Sequence, residues 1–126
     1  MRPDAMMPYV NASIVSLQLG DSDKAFRYLK AAYRLEPNNA AVNMNLGLLF
    51  AERGDLVKAE DYLRVALENE STMPQAAYNL AVIVGEENPE QAVALCRRAL
   101  QVEPGNGKYQ QALMYYMGKN GQHHDP

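Results

Sequence analysis

Three asparagines, Asn11, Asn45 and Asn79, are evenly spaced along the chain. An amide repeated at fixed spacing suits recognition, because it donates and accepts and can pair with a peptide backbone whatever side chains the peptide carries. Bonding that only braces neighbouring helices or caps local backbone is the competing use of such residues. Other chemistry has little support. Cys96 falls at a periodic apolar position with no histidine close in sequence, so it reads as an inert core thiol rather than a nucleophile. His123-His124-Asp125 lie in a polar terminus and contain the only histidines, so a complete metal site there would need another molecule. Arg97-Arg98 is a short basic pair of the kind found on solvated surface rather than at a phosphate site. No glycine-rich phosphate loop, Gly-x-Ser-x-Gly elbow or pair of histidines on one helical face is present. The residues therefore predict no enzyme, no cofactor and no metal.

What must position the asparagines is helical. The chain has 126 residues, 48% of them hydrophobic, which is enough apolar content for a packed core. Twelve Lys and Arg against fifteen Asp and Glu give a net charge of −3, with a pI near 5.3. That balance predicts neither nucleic acid nor an anionic membrane as a partner. A single cysteine excludes an intramolecular disulfide and any cysteine cage within one chain. No apolar run approaches the roughly 18 residues of a membrane span, and the start lacks the apolar stretch of a signal peptide. The residues encode no cellular location; a cytoplasmic one is preferred, with an extracytoplasmic one open if the chain is an excerpt of a larger secreted protein.

The sequence repeats itself. Gly20 and Gly54, Ala25 and Ala59, Leu29 and Leu63, Ala32 and Ala66, and Leu46 and Leu80 are each 34 apart. Ala59 to Ala92, Ala66 to Ala99 and Leu80 to Leu113 are 33 apart, so the third unit loses one residue, which the register places in an exposed turn at Gly85-Glu86-Glu87-Asn88-Pro89. The units are cut at 6–39, 40–73 and 74–106, with a partial fourth over 107–121 and a disordered tail over 122–126. Apolar residues recur at helical spacing on both sides of each turn, so each unit reads as two helices and no sheet is expected. Gly20-Asp21 and Gly54-Asp55 end one helix and cap the next, while Asn88, Pro89 and Gln91 resemble a capping box. Small residues at Gly47 and Ala81 and at the repeated alanines allow close helix approach.

These residues resemble the tetratricopeptide repeat family. The likeness rests on Asn45-Leu46-Gly47, Phe50, Gly54, Ala59, Leu63 and Ala66, returns in Asn79-Leu80-Ala81, Ala92, Ala99 and Pro104, and again in Gly20, Ala25, Leu29, Ala32 and Pro37. Two departures are the lack of any Trp and Ala12-Ser13 where the family prefers Leu-Gly, so the first helix should pack less typically. The resemblance implies an all-α fold, a right-handed superhelix of three helical hairpins plus a C-terminal partial repeat, whose first helices line a concave groove that binds peptides or proteins without catalysis. On that mapping the groove carries Asn11, Asn45 and Asn79 with Met44, Leu48, Tyr78 and Val82, flanked by Met7, Val10, Ile14 and Gln18 in the first unit. Chaperone-adaptor members of the family grip a ligand's C-terminal carboxylate with Lys, Arg and Asn. Here the matching places hold Val10, Ile14, Asn45, Gln75 and Asn79, so every cation is missing and that ligand is not expected.

The last helix, Lys108 to Met117, reads as an interior helix, apolar on more than one side, where a terminal repeat usually presents a polar face. Leu113, Tyr116 and Met117 are expected to form an exposed self-association face, either because the chain is an excerpt of a longer array or because a second copy pairs there to give a homo-oligomer. The third unit is also similar to repeat tails of some bacterial multihaem cytochromes, though no haem-attachment motif is present. The expected function is a protein–protein interaction scaffold, with self-association or service as a regulatory or targeting appendage of a larger enzyme or such a cytochrome as alternatives.

Overall fold

The computed structural model describes residues 7–121. They form seven helices and, among the described residues, no strand: α1 Met7–Gln18, α2 Ser22–Leu35, α3 Ala40–Glu52, α4 Leu56–Asn69, α5 Pro74–Val84, α6 Pro89–Val102 and α7 Gly107–Gly121. The chain divides into two compact units, Met1–Asn69 and Glu70–Pro126. In the first, α1 packs on α2, α2 on α3 and α3 on α4; in the second, α5 packs on α6 and α6 on α7.

The turns after α1 and α3 are built alike. Asp21 N donates to Ser16 at 2.8 Å and Gly20 N to Leu17 at 3.0 Å; Asp55 N donates to Phe50 at 2.9 Å and Gly54 N to Ala51 at 3.0 Å. That pair of bonds requires a left-handed residue just past the helix, which Gly20 (φ 80°) and Gly54 (φ 84°) provide without a Cβ penalty. The next residue opens the following helix: Asp21 Oδ1 accepts from the Lys24 amide at 3.0 Å, and Asp55 Oδ1 from the Lys58 amide at 3.2 Å.

The third turn differs from its expected form. α5 has 11 residues where α3 has 13, while the link to the next helix has four residues (85–88) where the earlier one has three (53–55), so the contraction is taken from the helix and not from the turn. Gly85 is buried rather than exposed, in the right-handed region, with the Tyr116 ring against it; a Cβ there would fall 2.6 Å from Tyr116 Cζ. Asn88 caps α6 by accepting from the Gln91 amide at 3.1 Å, but Gln91 Oε1 answers the Asn88 side chain at 3.5 Å instead of its backbone.

The first core is Val10, Leu29, Ala32, Val42, Leu46 and Leu49, flanked by an aromatic run. Phe26 meets Phe50 edge-on at 5.4 Å, Phe50 stacks on Tyr62 at 5.4 Å, and Tyr33 meets Tyr62 edge-on at 5.9 Å. Helices α3 and α4 touch through Gly47, where a Cβ would lie 2.8 Å from Leu63 Cγ. Ser13 holds the position of Gly47 and Ala81 one unit earlier and is equally buried. Its hydroxyl donates to Val10 O at 2.6 Å, so the side chain behaves there as a small, satisfied residue and the Ala12-Ser13 departure does not open the packing.

Candidate functional site

In the first unit, α1 presents Asn11 to solvent, and α3 presents Met44, Asn45 and Leu48 half-buried. In the second, α5 presents Tyr78 and Asn79 half-buried and Val82 exposed. The alternation follows from the helical period. Val42, Leu46 and Leu49 turn into the first core and Ala76, Ala77 and Leu80 into the second, leaving the asparagines at the edge between core and solvent. Asn45 Nδ2 donates to Ala41 O at 2.8 Å, and Asn79 Nδ2 donates to Gln75 O at 2.8 Å. Each amide is thus held along its own helix by the same bond four residues back. Among the described residues no donor reaches either Oδ1, so both units present a carbonyl oxygen in the same local setting, able to accept from a peptide N–H.

Val10 does not join these residues. It is 3% exposed and belongs to the first core, because its position on α1 faces α2 rather than solvent. Ile14 lies outside the core on the same helix.

The face of the second unit is also aromatic and charged. The Tyr78 ring packs on Tyr109 at 5.1 Å, with Lys108 Nζ 5.2 Å from its centroid. Below it, Glu86 accepts from Tyr115 Oη at 3.0 Å and pairs with Lys119 at 2.7 Å. The hydrogen bond from Lys119, then that from Tyr115, holds the Glu86 carboxyl below its ordinary value, and the same carboxylate holds Lys119 above its own. The pair ties α7 to the turn between α5 and α6.

The terminal helix corrects one sequence expectation. Tyr116 is 5% exposed and packs on Gly85, and burial raises its phenol above the ordinary value, so it is not part of an exposed face. A glycine on the facing turn makes room for the ring, and the shared periodicity of Leu113, Tyr116 and Met117 could not reveal that. Leu113 is half-buried, whereas Met114, Tyr115 and Met117 are the exposed apolar residues.

Cys96 is fully buried and its thiol is pushed up by desolvation, which disfavours the reactive thiolate. His123, His124 and Asp125 lie outside the described residues. Among the described residues no group of three His, Cys, Asp or Glu is arranged to hold a metal, and no helix is long and apolar enough to cross a membrane.

Asn43 and Gln110 are the polar residues that sequence reasoning missed. Asn43 is 1% exposed and donates to Pro37 O at 2.9 Å and Asn39 O at 2.8 Å; Gln110 donates to Pro104 O at 2.8 Å. Both pin the proline-containing loop before their own helix. The equal step from each proline to its donor was the available signal.

A family model described as tetratricopeptide repeat matches residues 12–74. The photosystem I assembly protein Ycf3 of Acaryochloris marina is 28% identical over 131 residues, spanning 90% of this chain and 79% of that protein. Among solved structures, the first repeat domain of Spaghetti (RPAP3), bound to an HSP90 peptide, superposes with a TM-score of 0.86 at 15% identity, covering 96% of this chain and 99% of that one. The Arabidopsis OM64 repeat domain gives 0.81 at 21% identity, covering 90% and 94%.

Proposed function

The chain belongs to the tetratricopeptide repeat family, a family of protein–protein interaction scaffolds, and from that premise we propose that it is a non-catalytic module holding a peptide segment or helix of a partner protein on the first helices of its hairpins. The observation that carries the proposal is the equal preparation of Asn45 and Asn79, each fixed by one bond to its own helix with an acceptor oxygen left over. Met44 and Leu48 in the first unit, and Tyr78 and Val82 in the second, add apolar contact around those amides, and Asn11 offers a third. The repeats run 6–39, 40–73 and 74–106, with a partial fourth over 107–121. The Spaghetti domain holds an HSP90 peptide. This chain has buried Val10 and exposed Ile14 where cations would be needed to grip a terminal carboxylate, so an internal segment suits it better than a chain end.

Peptides selected from a displayed library against the whole chain provide the test. Changing Asn45 and Asn79 together to Ala removes two hydrogen bonds of about 1 kcal/mol each, so affinity by calorimetry should fall about thirty-fold. Unchanged affinity with an intact thermal melt removes the asparagines from the mechanism. A second reading, homo-oligomerisation through α7, draws on the exposure of Met114 (73%), Tyr115 (52%) and Met117 (45%).

A further inference from the structure

Charge is distributed unevenly between the two helices of each hairpin. The 12 residues of α1 and the 11 of α5 include no Asp, Glu, Lys or Arg, and the 13 of α3 include one, Glu52, at its end. The second helices α2 and α4 carry five each, and α6 carries three. Burial does not account for the difference. Met7, Val15, Ile14 (39%) and Val82 (46%) stand exposed on the first helices, where a solvated face ordinarily carries charge. Three apolar positions are also in register. Ile14, Leu48 and Val82 are 34 apart, each three residues after Asn11, Asn45 or Asn79 and so on the same face of its helix. Every hairpin therefore presents an amide and an aliphatic side chain together, on a first helix with no charge short of Glu52. Charge returns at the margins. Lys119 is taken by Glu86, whereas Glu52 and Lys108, the latter 5.2 Å from the Tyr78 ring centroid, make no ion pair among the described residues.

We infer that the partner segment held on the first helices is uncharged and rich in aliphatic residues, which sets acidic and basic peptides aside; the inference rests on the peptide-holding role proposed above. Two properties of the face lead there. Asn45 and Asn79 each offer an oxygen that accepts from a neutral backbone N–H, so the main chain of the ligand is held without any ionised group. Ile14, Leu48 and Val82 gain by being covered with apolar surface. A ligand carboxylate or ammonium laid across them would surrender its water and meet no opposite charge, a penalty that an uncharged segment avoids. Charge is admitted only at the margins, a base beside Glu52 and an acid beside Lys108.

Short peptides selected against the whole chain from a displayed random library are the probes, retained where changing Asn45 and Asn79 together to Ala weakens binding. The retained peptides should be depleted of Asp, Glu, Lys and Arg relative to the library. In a chain carrying Glu52→Gln and Lys108→Gln, their affinity should change less than about two-fold between about 0.05 and 0.5 M NaCl. Replacing an aliphatic residue of the tightest peptide with Glu or with Lys should weaken it about ten-fold either way. Val82→Lys, at an exposed position, should then favour the Glu peptide over the Lys peptide. Three results overturn the inference while leaving the peptide-holding role in place. They are retained peptides enriched in one sign of charge that still bind the doubly neutralised chain, an affinity there that falls about ten-fold over the same salt range, and a Val82→Lys chain that treats the Glu and Lys peptides alike. A library that yields no peptide dependent on the two asparagines removes the role itself, and the inference with it.

Discussion

A single methyl group at Gly47 tests how closely the first unit is packed. The Cβ of Gly47→Ala would lie 2.8 Å from Leu63 Cγ, 3.1 Å from Leu63 Cδ2 and 3.2 Å from the Ala59 carbonyl. Ordinary carbon contacts are about 3.5–4.0 Å. Leu63 is fully buried and the Ala59 oxygen is backbone, so rotating one side chain does not relieve all three contacts. Overpacking of this kind costs about 1–3 kcal/mol, and three simultaneous contacts place it at the upper end. Replacing Gly by Ala inside a helix returns about 1 kcal/mol. The net loss is about 2 kcal/mol, or roughly 10 °C of melting temperature for a unit of this size. Thermal and urea denaturation followed by far-UV circular dichroism reads it. Gly118→Ala is the internal control, since a Cβ there meets nothing within 4 Å; it should gain up to about 1 kcal/mol. A Gly47→Ala protein as stable as its parent, or more so, refutes the close contact of α3 with α4.

The Glu86–Lys119 pair predicts a pH window. Glu86 is held below its ordinary 4.5, so its contribution is present above that value and lost as pH falls through the lower folded one. Lys119 is held above 10.5, so its share is present below that value and lost as pH rises through the higher folded one. Glu86→Gln should therefore lower the melting temperature between about pH 5 and 10 and make no difference in strong acid; a deficit of constant size down to strong acid contradicts this. Met73 opens α5 in extended backbone (φ −84°, ψ 99°) with no side-chain cap, where Asn39 and Asn106 cap α3 and α7. Met73→Asn should raise stability by about 1 kcal/mol in a urea titration, and an unchanged or lower midpoint contradicts that reading.

Local chemistry made much of this structure legible in the sequence. Gly20-Asp21 and Gly54-Asp55 specify both a left-handed stop and a following cap, and the observed turns use both. Cys96 was readable as core because its neighbours at helical spacing are apolar. Gly47 and Ala81 were readable as close approaches because small residues stand at the same repeat position; both are buried, and a Cβ on Gly47 would meet Leu63. Features that depend on a distant partner were not readable. Tyr116 turns inward because Gly85 of another turn makes room for its ring. Val10 lies in the core because α2 covers it, although its spacing suits a solvent face equally well. Asn43 and Gln110 reach back to carbonyls beyond the ends of their own helices, which helical periodicity does not describe. The two amides of the candidate site were visible as an even spacing along the chain, but their bonds to Ala41 and Gln75 appear only in the structure.

The side-chain amide signals of Asn45 and Asn79 report most directly on the proposed binding of a partner segment against those two residues. In nitrogen-15 spectra of the whole chain titrated with a library-selected peptide, both NH₂ groups should show saturable shifts together with the amides around Leu48 and Val82. A tightly bound peptide that leaves both signals in place and perturbs Tyr33 and Tyr62 instead would contradict it.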